Sequence, residues 1–144
     1  MPATFQVRQN PPFQPDQILY VGLQDIFDYQ AEFLNKVGVS YQIQTEKFIS
    51  SSVIKDFMAR FDHILVHLDI DVLDAKRFHS TYFANPELSG DGSGSGKMTM
   101  AELAEILQLI SQNSDVVGFT VAEYLPFDEY ALHKALKNVG ILME

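Results

Sequence analysis

The chain has 144 residues, net charge −9 and 47% hydrophobic content, with no cysteine. That suits one domain with a real core and excludes disulfides and wholesale disorder. An acidic surface of this kind disfavours nucleic acid and anionic membranes and suits a cationic ligand or a metal ion. No run of 18 or more apolar residues is present, so no membrane span is expected. The first residues, Met1-Pro2-Ala3-Thr4-Phe5-Gln6, lack the basic and apolar regions of a secretory signal. Together with the missing cysteines, this fits a cytoplasmic chain.

The opening segment is rich in Pro, Gln and Asn and reads as an irregular lead-in. Residues 18–23 form a short apolar run, read as a buried strand. Ile26, Phe33, Leu34 and Val37 follow at helical spacing, with Gly38 as a C-cap. Residues 41–45 alternate and predict a second strand. Val53, Ile54, Phe57 and Phe61 mark a second helix, and residues 63–69 a third strand. A loop rich in Gly and Ser then runs from about Asp71 to Lys97. Thr99 and Glu102 make a capping box, behind which Met100, Leu103, Ile106, Leu107 and Ile110 line one helical face. A fourth strand is expected at residues 116–121, and a last helix from Asp128 to Asn138 with Gly140 past its end.

Strand and helix alternate throughout, which predicts a single α/β domain over residues 1–144. The four strands are expected to form one mainly parallel sheet with helices on both faces. Ligands in such sheets sit at the carboxyl ends of the strands.

The third strand ends in His67-Leu68-Asp69-Ile70-Asp71-Val72-Leu73-Asp74. If the strand alternation continues, His67, Asp69 and Asp71 share a face. Two carboxylates at a strand end repel each other, and a divalent cation resolves that conflict. Oxygen ligands suit magnesium or manganese, and a nearby imidazole favours manganese. The competing reading is that both carboxylates cap backbone amides of the following loop. Glu123 ends the fourth strand and is either a cation partner or a solvated strand-end carboxylate. His67, inside an apolar strand, reads as a hydrogen-bonded core histidine rather than a ligand. His63, His79 and His133 show no ligand spacing. The Gly/Ser loop is either a connector or lid, the favoured reading, or a backbone cradle for an anion. It is not a phosphate-binding P-loop, because Lys97 is followed by Met98.

The order of these motifs resembles the arginase, agmatinase and formiminoglutamase family. Its signature is Ser-x-Asp-x-Asp-x-x-Asp-Pro, a Gly-Thr-Gly loop, a helix, and a strand ending in glutamate. Asp69, Asp71 and Asp74 match the three aspartates. Gly92-Ser93-Gly94 is similar to the Gly-Thr-Gly loop, and Glu123-Tyr124-Leu125-Pro126 to the Glu-x-x-Pro strand end. Tyr20-Val21-Gly22-Leu23-Gln24-Asp25 resembles an earlier family strand, Tyr-Ile-Gly-Leu-Arg-Asp. The resemblance implies two manganese ions, with Asp69 bridging them and Asp71 binding one, and Glu123 holding a guanidinium substrate. A metal-bridging hydroxide would then attack the guanidinium or formimino carbon.

This sequence departs from the pattern at several places. His67 stands for the serine, Ala75 for the proline, and Gln24 for an arginine. The segment between Asp74 and the glycine loop is longer than usual. The family's upstream Gly-Gly-Asp-His and Asp-x-His-x-Asp segments, and its catalytic loop histidine, have no counterpart here. The expectation is therefore a C-terminal, truncated portion of the fold, inactive alone and self-associating as a homo-oligomer. Two other readings are a haloacid-dehalogenase-like magnesium phosphatase, which also places DxD at a strand end, and a non-catalytic interaction subunit. The phosphatase pattern expects Gly-Thr after the second aspartate, where Val72 and Leu73 stand.

Overall fold

The computed structural model describes residues 11–44, 49–81, 84–85, 87, 95–127 and 129–137. The Gly92-Ser93-Gly94 segment, Asp128, Asn138 and Gly140 lie outside them. A 3-10 turn at Pro15–Gln17 leads into β1 (Leu19–Leu23), α1 (Asp28–Val37), β2 (Ser40–Ile43), α2 (Ser51–Met58) and β3 (His63–Asp69). A second 3-10 turn, Ile70–Val72, follows directly. Then come α3 (Met100–Asn113), β4 (Asp115–Ala122) and α4 (Glu129–Leu136).

Local chemistry accounts for several boundaries. Gly38 ends α1 in the left-handed conformation at φ 81, and its N–H donates to the Leu34 carbonyl. Thr99 begins α3 through the capping box: its hydroxyl accepts from the Glu102 N–H, while Glu102 accepts from the Thr99 N–H. The apolar stripe behind that cap buries Leu103, Ile106 and Leu107. These meet Ile54 and Met58 of α2, Ile64 and Leu68 of β3, and Leu132 of α4 in one core. Burial of this apolar surface is the main favourable term in folding.

The strands are parallel but do not form the one continuous sheet expected. β1 pairs with β2, β3 pairs with β4, and among the described residues no ladder joins the two pairs. A cavity of about 1070 Å3 separates β1 from β3. Pairing is a tertiary matter that strand periodicity does not encode. Helix α3 packs on α2, α4 and β4. On β3, alternate residues Ile64 and Leu68 are buried in the core, while His63, Leu65 and His67 are exposed. Leu65 and Val117 are 59% and 56% exposed, an apolar face left bare among the described residues. No helix of the described residues is long and apolar enough to cross a membrane.

Candidate functional site

β3 pairs with β4 in parallel, and Asp69 stands in register with Ala122. Glu123 is the next residue, so Asp69 and Glu123 emerge at the same end of the sheet, as the sequence predicted. Alternation does not carry on to Asp71. The strand stops at Asp69, and Asp71 lies within the 3-10 turn. The reason is local: an Asp69 carboxylate oxygen accepts the Asp71 N–H at 3.0 Å and caps that turn. The capping alternative thus holds for one oxygen of Asp69. Asp71 nevertheless lines the same cavity as Asp69.

Asp71 is the unusual group. Its Oδ1 is buried and has no hydrogen-bond partner. Burial, then the nearby charges of Asp69 and Glu123, push its carboxyl up to about 6 from 3.8. A buried acceptor left unmatched is costly, and a cation placed there would relieve both the desolvation and the repulsion. The donor set therefore fits a hard divalent ion. It is also sparse: among the described residues, no three His, Cys, Asp or Glu side chains are grouped to hold a metal.

The other candidates fall away from this point. His67 is exposed on the bare face of β3, not in the core, and its ring Nδ1 shares a hydrogen bond of 2.7 Å with the Thr120 hydroxyl. Burial was inferred from its apolar neighbours, but those alternate across the strand and His67 takes the outer side. His63 pairs with Asp115 at 2.8 Å, also exposed. Asp74, the third aspartate of the motif, is absorbed by its own turn. Its carboxylate accepts the Lys76 N–H and pairs with Arg77 at 3.4 Å.

Three supports were not evident in the sequence. Gln24, past the end of β1, donates from Nε2 to the Asp71 carbonyl at 3.2 Å. The Gly96 N–H donates to the same carbonyl at 2.8 Å, and the Met98 N–H to Val72 at 3.1 Å. Gly96 and Met98 are thus held against the acidic turn through their backbone amides. Finally, Glu123 has φ 58, the left-handed region, on a residue with a side chain. Its loop is held where Ser80 accepts the Leu125 N–H on its carbonyl and the Phe127 N–H on its hydroxyl. Strain of this kind collects at functional sites. We expect Glu123→Gly to raise stability by about 1 kcal/mol through relief of that conformation, and Glu123→Gln to leave the conformational part in place. Urea unfolding midpoints of the two variants measure the difference.

Parallel strands with carboxylates gathered at their C-terminal ends place the chain among α/β proteins, whose ligand sites lie at that edge of the sheet. The arginase family profile matches residues 2–143, and the chain belongs to that family. Similar solved structures include formimidoylglutamase from Bacillus subtilis subsp. subtilis str. 168, at 18% identity and TM-score 0.66, covering 89% of this chain and 43% of that one. Helicobacter pylori arginase matches at 19% identity and TM-score 0.64, with 88% and 44% covered. Arginase from Bacillus caldovelox matches at 15% identity and TM-score 0.68, with 91% and 44% covered. At these identities the likeness establishes the fold. The chain spans less than half the length of each of these structures. No curated protein sequence matches it significantly.

Proposed function

We propose that this chain is the C-terminal portion of a manganese-dependent, arginase-type hydrolase acting on guanidino or formimino C–N bonds. The observation that carries the reading is the Asp71 carboxylate, buried without a hydrogen-bond partner beside Asp69 and Glu123. Asp69 and Asp71 would hold manganese through their oxygens. When bound there, manganese would activate water for attack at neutral pH. Glu123, exposed at the same sheet end, would receive the planar cation of the substrate and orient its carbon. Gln24 and Gly96 fix the Asp71 backbone by hydrogen bonds.

Alone, the chain offers few metal ligands, so it binds manganese weakly and does not turn over substrate. Two carboxylates leave most of an octahedral shell to water. Holding a cation at Glu123 without a placed nucleophile gives no rate. A cytoplasmic setting is consistent with a chain free of cysteine. No observation favours the phosphatase alternative. Its pattern expects Gly-Thr after the second aspartate, where Val72 and Leu73 stand.

The test is a calorimetric manganese titration beside urea- and formamide-release assays on arginine, agmatine and formiminoglutamate. Weak binding that Asp69→Ala abolishes, with no product released, is the expected result. Tight binding of two ions, or product release lost in Asp69→Ala, would show a complete enzyme. Manganese binding indifferent to Asp69→Ala and Asp71→Asn would remove the site altogether.

A further inference from the structure

We propose that the outer face of α1 is a self-association surface. Two copies of this chain pair their α1 helices antiparallel, about a twofold axis that passes at Phe33. The inference rests on the surface of α1 and not on the manganese reading.

No residue of α1 is fully buried. Ala31 and Leu34 are half-buried on its inner side. Tyr29, Phe33 and Val37 follow one another four residues apart, so they fall on one stripe. That stripe meets solvent: Tyr29 is 68% exposed, Phe33 61% and Val37 36%. Phe27, also 68% exposed, widens it at the N-terminal end. Its ring stacks on Tyr29 with centroids 5.7 Å apart and planes at 9°. At the other end the helix stops at Gly38, where a Cβ would meet no atom within 4 Å. Single exposed apolar side chains are ordinary, but three rings on one stripe form a patch.

Charge says what the patch takes. Asp28, Glu32 and Lys36 are likewise four apart and make an exposed row beside the stripe. Acid at the start and base at the end suit the helix's own dipole. The same order makes the row self-complementary. Antiparallel pairing centred on Phe33 sets Tyr29 against Val37 of the other copy. It also brings Lys36 level with Gln30 there, between Asp28 and Glu32. Parallel pairing would set each charge against its own like, so the row selects the antiparallel arrangement. Phe33 then meets Phe33 on the axis, and each Phe27–Tyr29 stack covers Val37 and the open ground at Gly38. The contact is isologous and closes at two copies.

The area sets the strength. A ring side chain buries about 150–250 Å2, so these three offer about 300–500 Å2 per copy and about 600–1,000 Å2 per pair. With Val37 and the charged row, that reaches only the lower end of specific interfaces, about 1,200 Å2. The dimer is therefore reversible and fills at high concentration. The bare face at Leu65 and Val117 is the alternative surface, but it exposes no ring among the described residues.

The experiment is sedimentation velocity from micromolar to millimolar chain, with chelator so that no metal contributes. A concentration-dependent monomer–dimer equilibrium is expected. Phe33→Glu, at an exposed position, should keep the helical circular dichroism and weaken the dimer about tenfold or more. Should it fail to fold, Tyr29→Lys carries the same test. Lys36→Glu makes the charged row wholly acidic, and Asp28→Lys with Glu32→Lys makes it wholly basic. Each of these proteins alone should lose the dimer, and their mixture should restore it as a heterodimer. A monomer at every concentration overturns the proposal and leaves the stripe to a partner of different sequence. A dimer that survives Phe33→Glu but yields to Leu65→Lys also overturns it and places the interface on β3 and β4. A mixture that does not associate overturns the charge pairing. A failed manganese titration leaves all these outcomes readable.

Discussion

Replacing Asp71 by asparagine is expected to raise the stability of the metal-free chain above pH 6 and to flatten its dependence on pH. The wild-type carboxyl titrates at about 6 when folded, against 3.8 in the absence of structure. Below pH 3.8 both states hold the proton and the group adds no pH dependence. Between 3.8 and about 6 the folded state keeps a proton that the unfolded state has lost, so stability falls as pH rises. Above about 6 both are ionised, and the cost of the buried charge is complete. For a partly buried group that cost is about 1–3 kcal/mol. Asparagine carries no charge, and Asp71 Oδ1 makes no hydrogen bond that the change would break. Urea unfolding of both proteins from pH 4 to about 8 gives the difference directly. The variant should gain on the wild type through the titration window and hold a constant advantage above it. Equal loss at every pH would mean that Asp71 supports the fold rather than burdening it. Added manganese should narrow the gap, because the wild type gains the larger ligand-linked contribution.

That a chain keeps a destabilising carboxylate where asparagine would fit is the physical argument for function at this point. It was partly legible in the sequence. The acidic pair after an apolar strand, and a glutamate ending another strand, located the site. The parallel register of Asp69 with Ala122 then placed Glu123 at the same end. The capping box at Thr99 and the C-cap at Gly38 were legible because each is written within a few residues. What lay beyond reach depends on contacts between distant segments. Asp71 left the strand because the Asp69 side chain captured its amide, a competition that alternation ignores. His67 faces outward because helices α2 and α3 pack on the other side of β3, where Ile64 and Leu68 are buried. The split into two strand pairs depends on which edges meet, and each strand taken alone reads the same in either arrangement.

Gly96→Ala is the second change with a large expected effect, and it acts on the same turn from the other side. Residues 96–98 run beside residues 71–74. Gly96 and Met98 donate to the carbonyls of Asp71 and Val72, the Asp74 N–H donates to the Met98 carbonyl, and Leu73 and Met98 form a parallel bridge. The Cα of Gly96 lies so close to this turn that a Cβ there would overlap the Val72 carbonyl and stand 2.6 Å from the Asp71 carbonyl oxygen. These neighbours are backbone atoms, so no rotamer change makes room. The two segments must separate, which breaks the hydrogen bonds between them and withdraws Met98 and Leu73 from the core. Overpacking against backbone, with hydrogen bonds lost, costs about 2–4 kcal/mol. A conformational explanation is secondary, since the clash alone decides the sign. The distinguishing readout is manganese. Gly96→Ala should weaken binding even at temperatures where the variant is fully folded, because the Asp71 carboxylate moves with its turn. If the variant folds stably and binds manganese as the wild type does, residues 96–98 do not brace the acidic turn, and the role assigned to Gly96 is wrong.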